Sequence, residues 1–147
     1  MGVTSNHNNN WRLTTPASSS ITVGTDGTLF ESTATTARYY VPQLNNSDIL
    51  LDTDSDWSIE IDLMKLDTTS KLGVWICGKV FRNLHDYIIV ENDYTHFKWT
   101  VISKQAKIYV NNEHIVSYDI NVTSGGTSIE LLSGGCLKLK NFIIYEI

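Results

Sequence analysis

The sequence is poor in alanine: it has only four alanines among 147 residues, against 15 isoleucines and 10 valines. β-branched side chains lose rotamer freedom in a helix and pack well on a pleated sheet. The 16 threonines, 14 serines and 12 asparagines also favour strands, turns and caps, because their side chains compete with helical backbone hydrogen bonds. The composition excludes an all-α fold and predicts an all-β protein.

Basic residues are scarce. The 11 lysines and arginines are outnumbered by 16 aspartates and glutamates, which gives a net charge of -5 and a pI near 5.2. A duplex nucleic acid partner is therefore not expected, since that affinity depends mainly on Lys and Arg side chains that neutralise phosphates.

Long apolar runs are missing as well. The longest, such as 87–90 and 142–145, are far too short to span a bilayer, so no membrane insertion is expected. Residues 1–10 are polar and lack a positive region followed by an apolar stretch. No secretory signal peptide is therefore expected within this chain.

Only two cysteines occur, Cys77 and Cys136. Neither belongs to a C-x-x-C motif or has a histidine at metal-ligand spacing, so a zinc site is not expected. Two small buried free thiols are the favoured interpretation, and a single disulfide is the alternative.

Lysine is absent from the first 56 residues, which hold 23 serines, threonines and asparagines; the remaining 91 hold 19 of these and all eight lysines. A separate N-terminal domain would have too few large apolar side chains for its own core. We therefore predict a polar N-terminal arm at 1–10 and a single β-sandwich domain at 11–147.

Strand signals are clearest after residue 56. Apolar and polar residues alternate from Trp57 to Met64, which predicts a half-buried strand. Residues 72–77 are apolar on both faces, as expected of a central strand, and 87–90 are similar. The Asn111-Asn112 pair tolerates positive φ and predicts a hairpin between 106–110 and 114–120.

Further strands are predicted over shorter or weaker patterns, at 97–101, 127–132, 136–147, 11–14, 20–23, 28–31 and 38–41. About eleven short strands with turn signals between them indicate an antiparallel β-sandwich or jelly roll. No helix longer than one turn is predicted.

Three stretches resemble the concanavalin A-like lectin/glucanase superfamily, which includes laminin-G-like jelly-roll domains. They are WSIEIDL at 57–63, THFKWTVISKQAKIYVNNEHIVSYDI at 95–120 and GGCLKLKNFIIYEI at 134–147. Many members are carbohydrate-binding modules, adhesin domains or receptor-binding parts of phage tails. The resemblance implies a lectin-like recognition module for cell-surface glycans, located extracellularly, on a cell surface or on a virion. The alternative is a structural domain of a virion or surface appendage that packs into a homo-oligomer.

Glu60 and Asp62 could carry chemistry, since laminarinase-like members of the superfamily have a related E-x-D motif. A strand period of two places both carboxylates on one face. The general acid expected two or three residues later is missing, because those positions hold Met64 and Lys65. No Ser, Cys and His arrangement indicates a hydrolytic triad either. Catalytic residues are therefore not expected, and the protein is predicted not to be an enzyme.

Asp52, Asp54 and Asp56 match the first half of an EF-hand calcium loop. The glycine that such a loop requires is replaced by Trp57, and the bidentate glutamate by Leu63, so an EF-hand is excluded. An acidic turn before a strand is the favoured interpretation. A weak Ca²⁺ site on these three carboxylates is the alternative, and no other cofactor is expected.

Aromatic residues are the remaining candidates, because sugar recognition combines a flat ring with nearby amide and carboxylate groups. Trp57 and Trp99 match the inward period and are assigned to the core. The candidate ligand-binding residues are Trp75, Tyr87, Asn92, Asp93, Tyr94, Tyr109 and Tyr118. The ENDYTH turn at 91–96 is the best candidate among them, because its polar residues cluster between strands.

Overall fold

The structure is a computed structural model that describes residues 4–6, 12–13, 18–40, 51–67, 69–88, 93–132 and 134–147. Its strands are β1 (Thr4–Asn6), β2 (Arg12–Leu13), β3 (Ser19–Gly24), β4 (Gly27–Ser32), β5 (Thr36–Tyr40), β6 (Leu51–Asp52), β7 (Trp57–Lys65), β8 (Lys71–Ile76), β9 (Lys79–Phe81), β10 (Thr95–Ile102), β11 (Gln105–Val110), β12 (Glu113–Asp119), β13 (Ser124–Gly125), β14 (Thr127–Leu132) and β15 (Gly135–Glu146). A short 3-10 helix covers Leu84–Tyr87.

The strands form two main antiparallel sheets. The larger has the order β12-β11-β10-β7-β15-β4-β3, with β1 also paired to β15. The smaller has the order β2-β5-β14-β8-β9, and β6 pairs separately with β13. This arrangement confirms the predicted all-β antiparallel sandwich. The described residues contain more strands than the eleven predicted, because pairings of two or three residues leave little trace in a sequence pattern.

The core lies between the two sheets. On β7, Ile59, Ile61 and Leu63 are fully buried, and they face inward because successive side chains of a strand alternate between its faces. Trp99 is fully buried, as predicted, and its Nε1 donates to the Thr127 hydroxyl (3.1 Å). That hydroxyl donates to the Trp75 carbonyl (2.9 Å), so one polar relay joins the two sheets inside the core.

The predicted hairpin is confirmed. β11 and β12 pair antiparallel, and Asn111 and Asn112 have φ values of 49° and 68°. Asparagine tolerates this left-handed conformation better than β-branched residues do. The strand predicted at 72–77 is also confirmed through Ile76, since β8 lies between β14 and β9.

The strand predicted at 87–90 is wrong in its first part, because Tyr87 closes the 3-10 helix; Ile89 and Val90 lie outside the described residues. Tertiary contacts explain why this segment forms a turn and not a strand. Leu84 is fully buried, and the Leu72 backbone N–H donates to Nδ1 of His85 (3.1 Å), which holds this turn against β8. Among the described residues, no helix is long and apolar enough to cross a membrane.

Both cysteines are free thiols, Cys77 buried and Cys136 half-buried. Burial raises the pKa of Cys77 to about 11. Burial, together with the hydrogen bond and charge of the Asp67 carboxylate, raises the pKa of Cys136 to about 11. Both thiols are therefore protonated at neutral pH.

Asp67 ties the loop between β7 and β8 to the start of β15. Its Oδ1 accepts the backbone N–H and hydroxyl of both Thr69 and Ser70, at 2.7–3.1 Å. Its Oδ2 accepts the Cys136 thiol at 3.3 Å. Burial alone would raise the pKa of Asp67, but the hydrogen bonds outweigh it and lower the pKa to about 2.

We predict that Asp67→Ala lowers the free energy of unfolding at pH 7 by about 1–3 kcal/mol, because the backbone N–H of the buried Ser70 loses its acceptor. The pKa falls from 3.8 to about 2 on folding, so this stabilisation is complete above about pH 4 and is lost as pH falls toward 2. Urea unfolding at several pH values should show the wild-type and variant curves converging in that range. Exposed Asp119→Ala is the control, and a difference that stays constant down to pH 2 would contradict the assignment.

Candidate functional site

Glu60, Asp62 and His96 form a polar cluster on the outward face of the large sheet. Glu60 and Asp62 share the face of β7 that points away from the core, and His96 lies opposite Asp62 on β10. Nδ1 of His96 is 2.8 Å from Oδ1 of Asp62, and its Nε2 is 3.1 Å from Oε1 of Glu60. When both ring nitrogens carry a proton, they donate to both carboxylates.

β15 completes this cluster from the other side of β7. Its register against β7 shifts between Lys140 and Ile143, and Asn141 adopts φ 56° at the irregularity. The Asn141 amide donates to Oδ2 of Asp62 (2.7 Å), and the Tyr145 hydroxyl donates to Oε2 of Glu60 (3.3 Å). All four carboxylate oxygens therefore have a partner.

A cleft of about 560 Å³ lies beside the cluster, where the turn between β3 and β4 meets β15. Tyr94 crosses it. The Asp93 carboxylate accepts the Tyr94 backbone N–H (2.8 Å), and the Tyr94 hydroxyl donates to the Asp26 carbonyl (2.6 Å). Burial and the negative charges of Asp26 and Asp62 raise the pKa of Tyr94. The ring is thus held at both ends, while it stays half-buried at the cleft.

Charged and amide groups surround the Tyr94 ring. The Lys140 ammonium lies 4.1 Å from the ring centroid, within cation–π range. The Lys138 ammonium is 3.4 Å from the Asp26 carboxylate, and Asn141 also lines the cleft. The site therefore combines one aromatic face with hydrogen-bond donors and acceptors, the set of groups that binds polyhydroxylated ligands.

Tyr109 lies on the same outward face, on β11. The Lys98 ammonium is 4.9 Å from its ring centroid, and the His114 ring is 5.5 Å from it. The pairing of β11 with β12 is irregular between Ile108 and Tyr109. On its outward face, the large sheet thus presents two tyrosine rings, each in contact with a lysine ammonium, on either side of the carboxylate cluster.

A second cleft of about 560 Å³ lies at the opposite end of β3 and β4, lined by serines, Glu31 and Cys136. It contains no aromatic side chain among its lining residues. The cleft at Tyr94 is therefore the better candidate for recognising a ligand with apolar ring faces.

The predicted ligand-binding residues are not all on one surface. Asp93, Tyr94 and Tyr109 lie at the outward face described above. Trp75 lies in the small sheet beneath the Arg82 guanidinium (5.6 Å), and Tyr87 packs near Phe81 (6.1 Å between ring centroids). Tyr118 packs against the core, and burial raises its pKa. Asn92 lies outside the described residues.

The acidic residues before β7 have separate partners. Asp52 accepts the Asp54 backbone N–H (3.0 Å), Asp54 pairs with Lys104 (3.0 Å), and Asp56 accepts the Ser103 backbone N–H (3.0 Å). In the part of the chain that the structure describes, no group of three His, Cys, Asp or Glu side chains has a metal-binding arrangement. The calcium site stays a prediction.

Sequence reasoning missed His96, Lys140, Asn141 and Asp26 as parts of the site. The predicted strand at 97–101 left His96 in the preceding turn, and only the pairing register shows that His96 and Lys98 lie opposite Asp62 and Glu60 of β7. Asn141 has a sequence signal in retrospect, since an asparagine inside a long strand often marks an irregularity.

Neither a protein-family model nor a curated protein sequence matches the chain. Among solved structures, the carbohydrate-binding module CBM66 from Bacillus subtilis is similar, with a TM-score of 0.60 and 12% identity over 90% of this chain and 93% of that one. The alginate lyase AlgAT5 of polysaccharide lyase family 7 gives 0.61 and 12% over 94% of each. The Emp47p carbohydrate recognition domain gives 0.56 and 9%, over 94% of this chain and 88% of that one.

These likenesses confirm the predicted concanavalin A-like jelly-roll fold. At 9–12% identity they show the fold alone. One architecture supports both binding modules and lyases, so the function must be argued from the side chains of this site.

We predict that Gly27→Ala displaces Tyr94. Gly27 has φ 143°, and a Cβ there would clash with the Tyr94 hydroxyl and lie 2.9 Å from the Leu139 carbonyl. The hydroxyl should therefore leave its buried position, and the Tyr94 pKa should return toward 10. An NMR titration of the tyrosine rings, with Tyr94→Phe for assignment, measures this. Gly78→Ala is the matched control, because Gly78 also has positive φ but its Cβ would meet nothing within 4 Å.

We also predict that His96→Gln lowers the free energy of unfolding by about 1–2 kcal/mol, because one amide nitrogen replaces two ring nitrogens that lie against different carboxylates. Electrostatic repulsion between Glu60 and Asp62 contributes to the loss, so it should shrink at high salt. Denaturant unfolding at low and high NaCl tests this, with exposed His114→Gln as the control. Equal stability of wild type and His96→Gln would show that the cluster contributes nothing.

Proposed function

We propose that this protein is a non-catalytic carbohydrate-binding module that acts at a cell or virion surface. The observation that carries the proposal is the half-buried Tyr94 ring, held across an open cleft of about 560 Å³. Sugar C–H groups pack against such a ring, while neighbouring charged and amide groups bind the hydroxyls. Asp26, Lys140 and Asn141 are the groups that line this cleft.

Preorganisation favours binding in this cleft. The Tyr94 backbone and hydroxyl are both hydrogen-bonded, so the ring loses little freedom when a ligand packs on it. The names of two neighbours with this fold, a carbohydrate-binding module and a carbohydrate recognition domain, describe the same activity and support the proposal.

Recognition without cleavage is the second part of the proposal. Glu60 and Asp62 are held within the sheet by contacts to His96, Asn141 and Tyr145, and neither is among the residues that line the Tyr94 cleft. Neither carboxyl group is therefore placed to protonate the leaving group of a sugar bound there. The positions two and three residues after Asp62 hold Met64 and Lys65, so neither provides the second carboxylic acid that the motif requires. The alginate lyase among the neighbours makes product release a necessary control in any binding assay.

The test is a glycan array probed with the purified chain, followed by calorimetry on each hit with two variants. Tyr94→Phe keeps the ring and should bind within a few-fold of wild type. Tyr94→Ala loses the ring and should raise the Kd about tenfold or more, since packing of an aromatic ring is worth about 1 kcal/mol or more.

Tyr87→Ala is the control aromatic variant, because Tyr87 packs near Phe81 and is not among the residues that line the cleft. Its binding should equal that of wild type. An array with no hit would overturn the proposal, as would hits that Tyr94→Ala leaves intact. Release of unsaturated or reducing-end products from a bound glycan would replace the non-catalytic assignment with an enzymatic one.

A further inference from the structure

Tyr94 and Tyr109, the two tyrosines of the outward face, are each in contact with a lysine side chain. Each ring carries a lysine ammonium, Lys140 at 4.1 Å from Tyr94 and Lys98 at 4.9 Å from Tyr109. All four side chains are half-buried, so these stacked pairs are partly ordered before any ligand arrives.

Neither ammonium group has a carboxylate partner in the part of the chain that the structure describes. Among the described residues, neither Lys98 nor Lys140 forms an ion pair, although Glu60 and Asp62 lie directly opposite them on β7. Lys104 and Lys138, by contrast, are paired with Asp54 and Asp26. The oxygens of Glu60 and Asp62 instead lie within hydrogen-bond distance of His96, Asn141 or Tyr145.

The two stacked pairs lie on register lines of the sheet that are two residues apart along β7. The pairing register runs from Tyr109 to Lys98 to Glu60 across β11, β10 and β7, and from Asp62 to Lys140 across β7 and β15. Three strand spacings of about 4.8 Å separate β11 from β15, a span of about 14 Å. We call this row the cross-strand band: Tyr94, Lys140, Asp62, Glu60, Lys98 and Tyr109.

We propose that the ligand is a linear acidic polysaccharide that lies along the cross-strand band, with an anionic group at Lys140 and another at Lys98. This inference rests on the carbohydrate site proposed at Tyr94. A sugar bound there would extend toward Tyr109, and the span exceeds the length of a disaccharide. The Tyr109 ring forms a second position at which a sugar ring can pack. The ammonium groups of Lys98 and Lys140 provide positive charge that complements the anionic groups of the polysaccharide.

The paired carboxylates in the middle of the band fit this occupant. Their oxygens are held by donors within the sheet, and these hydrogen bonds partly offset the two negative charges next to the ligand. Asn141 and Tyr145 lie beside them on β15 and contribute amide and hydroxyl groups. Anionic substituents are therefore expected near the two ends of the span, where the lysines lie.

The experiment measures Kd by calorimetry for polygalacturonate oligosaccharides of one to six units, their methyl-esterified neutral counterparts, hyaluronan oligosaccharides and dextran sulfate. Acidic oligosaccharides should bind more tightly as they lengthen, and binding should weaken as NaCl rises. Lys98→Gln and Lys140→Gln should each raise the Kd for a long acidic oligosaccharide about tenfold, the loss of one charge-assisted contact.

The length of the oligosaccharide distinguishes binding at Tyr94 from binding at Tyr109. Tyr94→Ala should weaken binding of every oligosaccharide, whereas Tyr109→Ala and Lys98→Gln should weaken binding of the long ones only. Lys107→Gln is the matched control, because Lys107 is also half-buried on β11 but has no stacked tyrosine; its Kd should change less than twofold.

The outcomes distinguish this inference from the function on which it rests. Tight binding of neutral glycans only, lost in Tyr94→Ala but unchanged in both lysine variants, would overturn the acidic ligand and leave the carbohydrate site standing. Affinity independent of chain length would overturn the extended band. Binding of dextran sulfate but not of uronates assigns the anionic group as sulfate. The absence of binding to any of these probes and to the glycan array would overturn both proposals.

Discussion

The antiparallel pairing of β7 with β15 is the contact on which the rest of the molecule depends. β7 contributes Ile59, Ile61 and Leu63 to the core on one face, and therefore presents Glu60 and Asp62 on the other. The register of β15 then decides which polar groups reach those carboxylates. An irregularity between Lys140 and Ile143 places the Asn141 amide on Asp62, while Tyr145 reaches Glu60. The same pairing thus organises the core and the site.

The candidate site is assembled from residues far apart in the chain. The Tyr94 hydroxyl binds the Asp26 carbonyl across 68 residues, and Lys140 covers the ring of the same tyrosine. Only a sandwich in which β4, β15, β7 and β10 are neighbours can bring these groups together. The strands serve as a rigid platform, because their backbones are hydrogen-bonded along both edges and their inward side chains are packed. Binding groups placed on such a platform lose little entropy when a ligand binds.

The pairing of charged side chains on the outward face differs from what the net charge of the chain suggests. The chain carries a formal charge of -5, yet the two carboxylates at the centre of the large sheet each have two hydrogen-bond contacts to groups on β10 and β15. Among the described residues, the lysines on either side are stacked on tyrosine rings and form no ion pair. Neighbouring structures with the same fold include binding modules and a lyase, so such local arrangements, and not the sandwich, decide function.

The sequence alone determined the all-β class, the inward faces of β7 and β10, the hairpin at Asn111-Asn112 and the common face of Glu60 and Asp62. These features depend on side-chain period and local backbone preference, which are properties of a few consecutive residues. It also singled out Tyr94 and Tyr109, but together with Trp75, Tyr87 and Tyr118, which lie elsewhere. Only the tertiary structure decided that His96 bridges two carboxylates, that Lys140 stacks on Tyr94 and that Tyr87 closes a 3-10 turn. Such contacts depend on register between strands distant in the chain, and register is set by the packing of the whole sandwich.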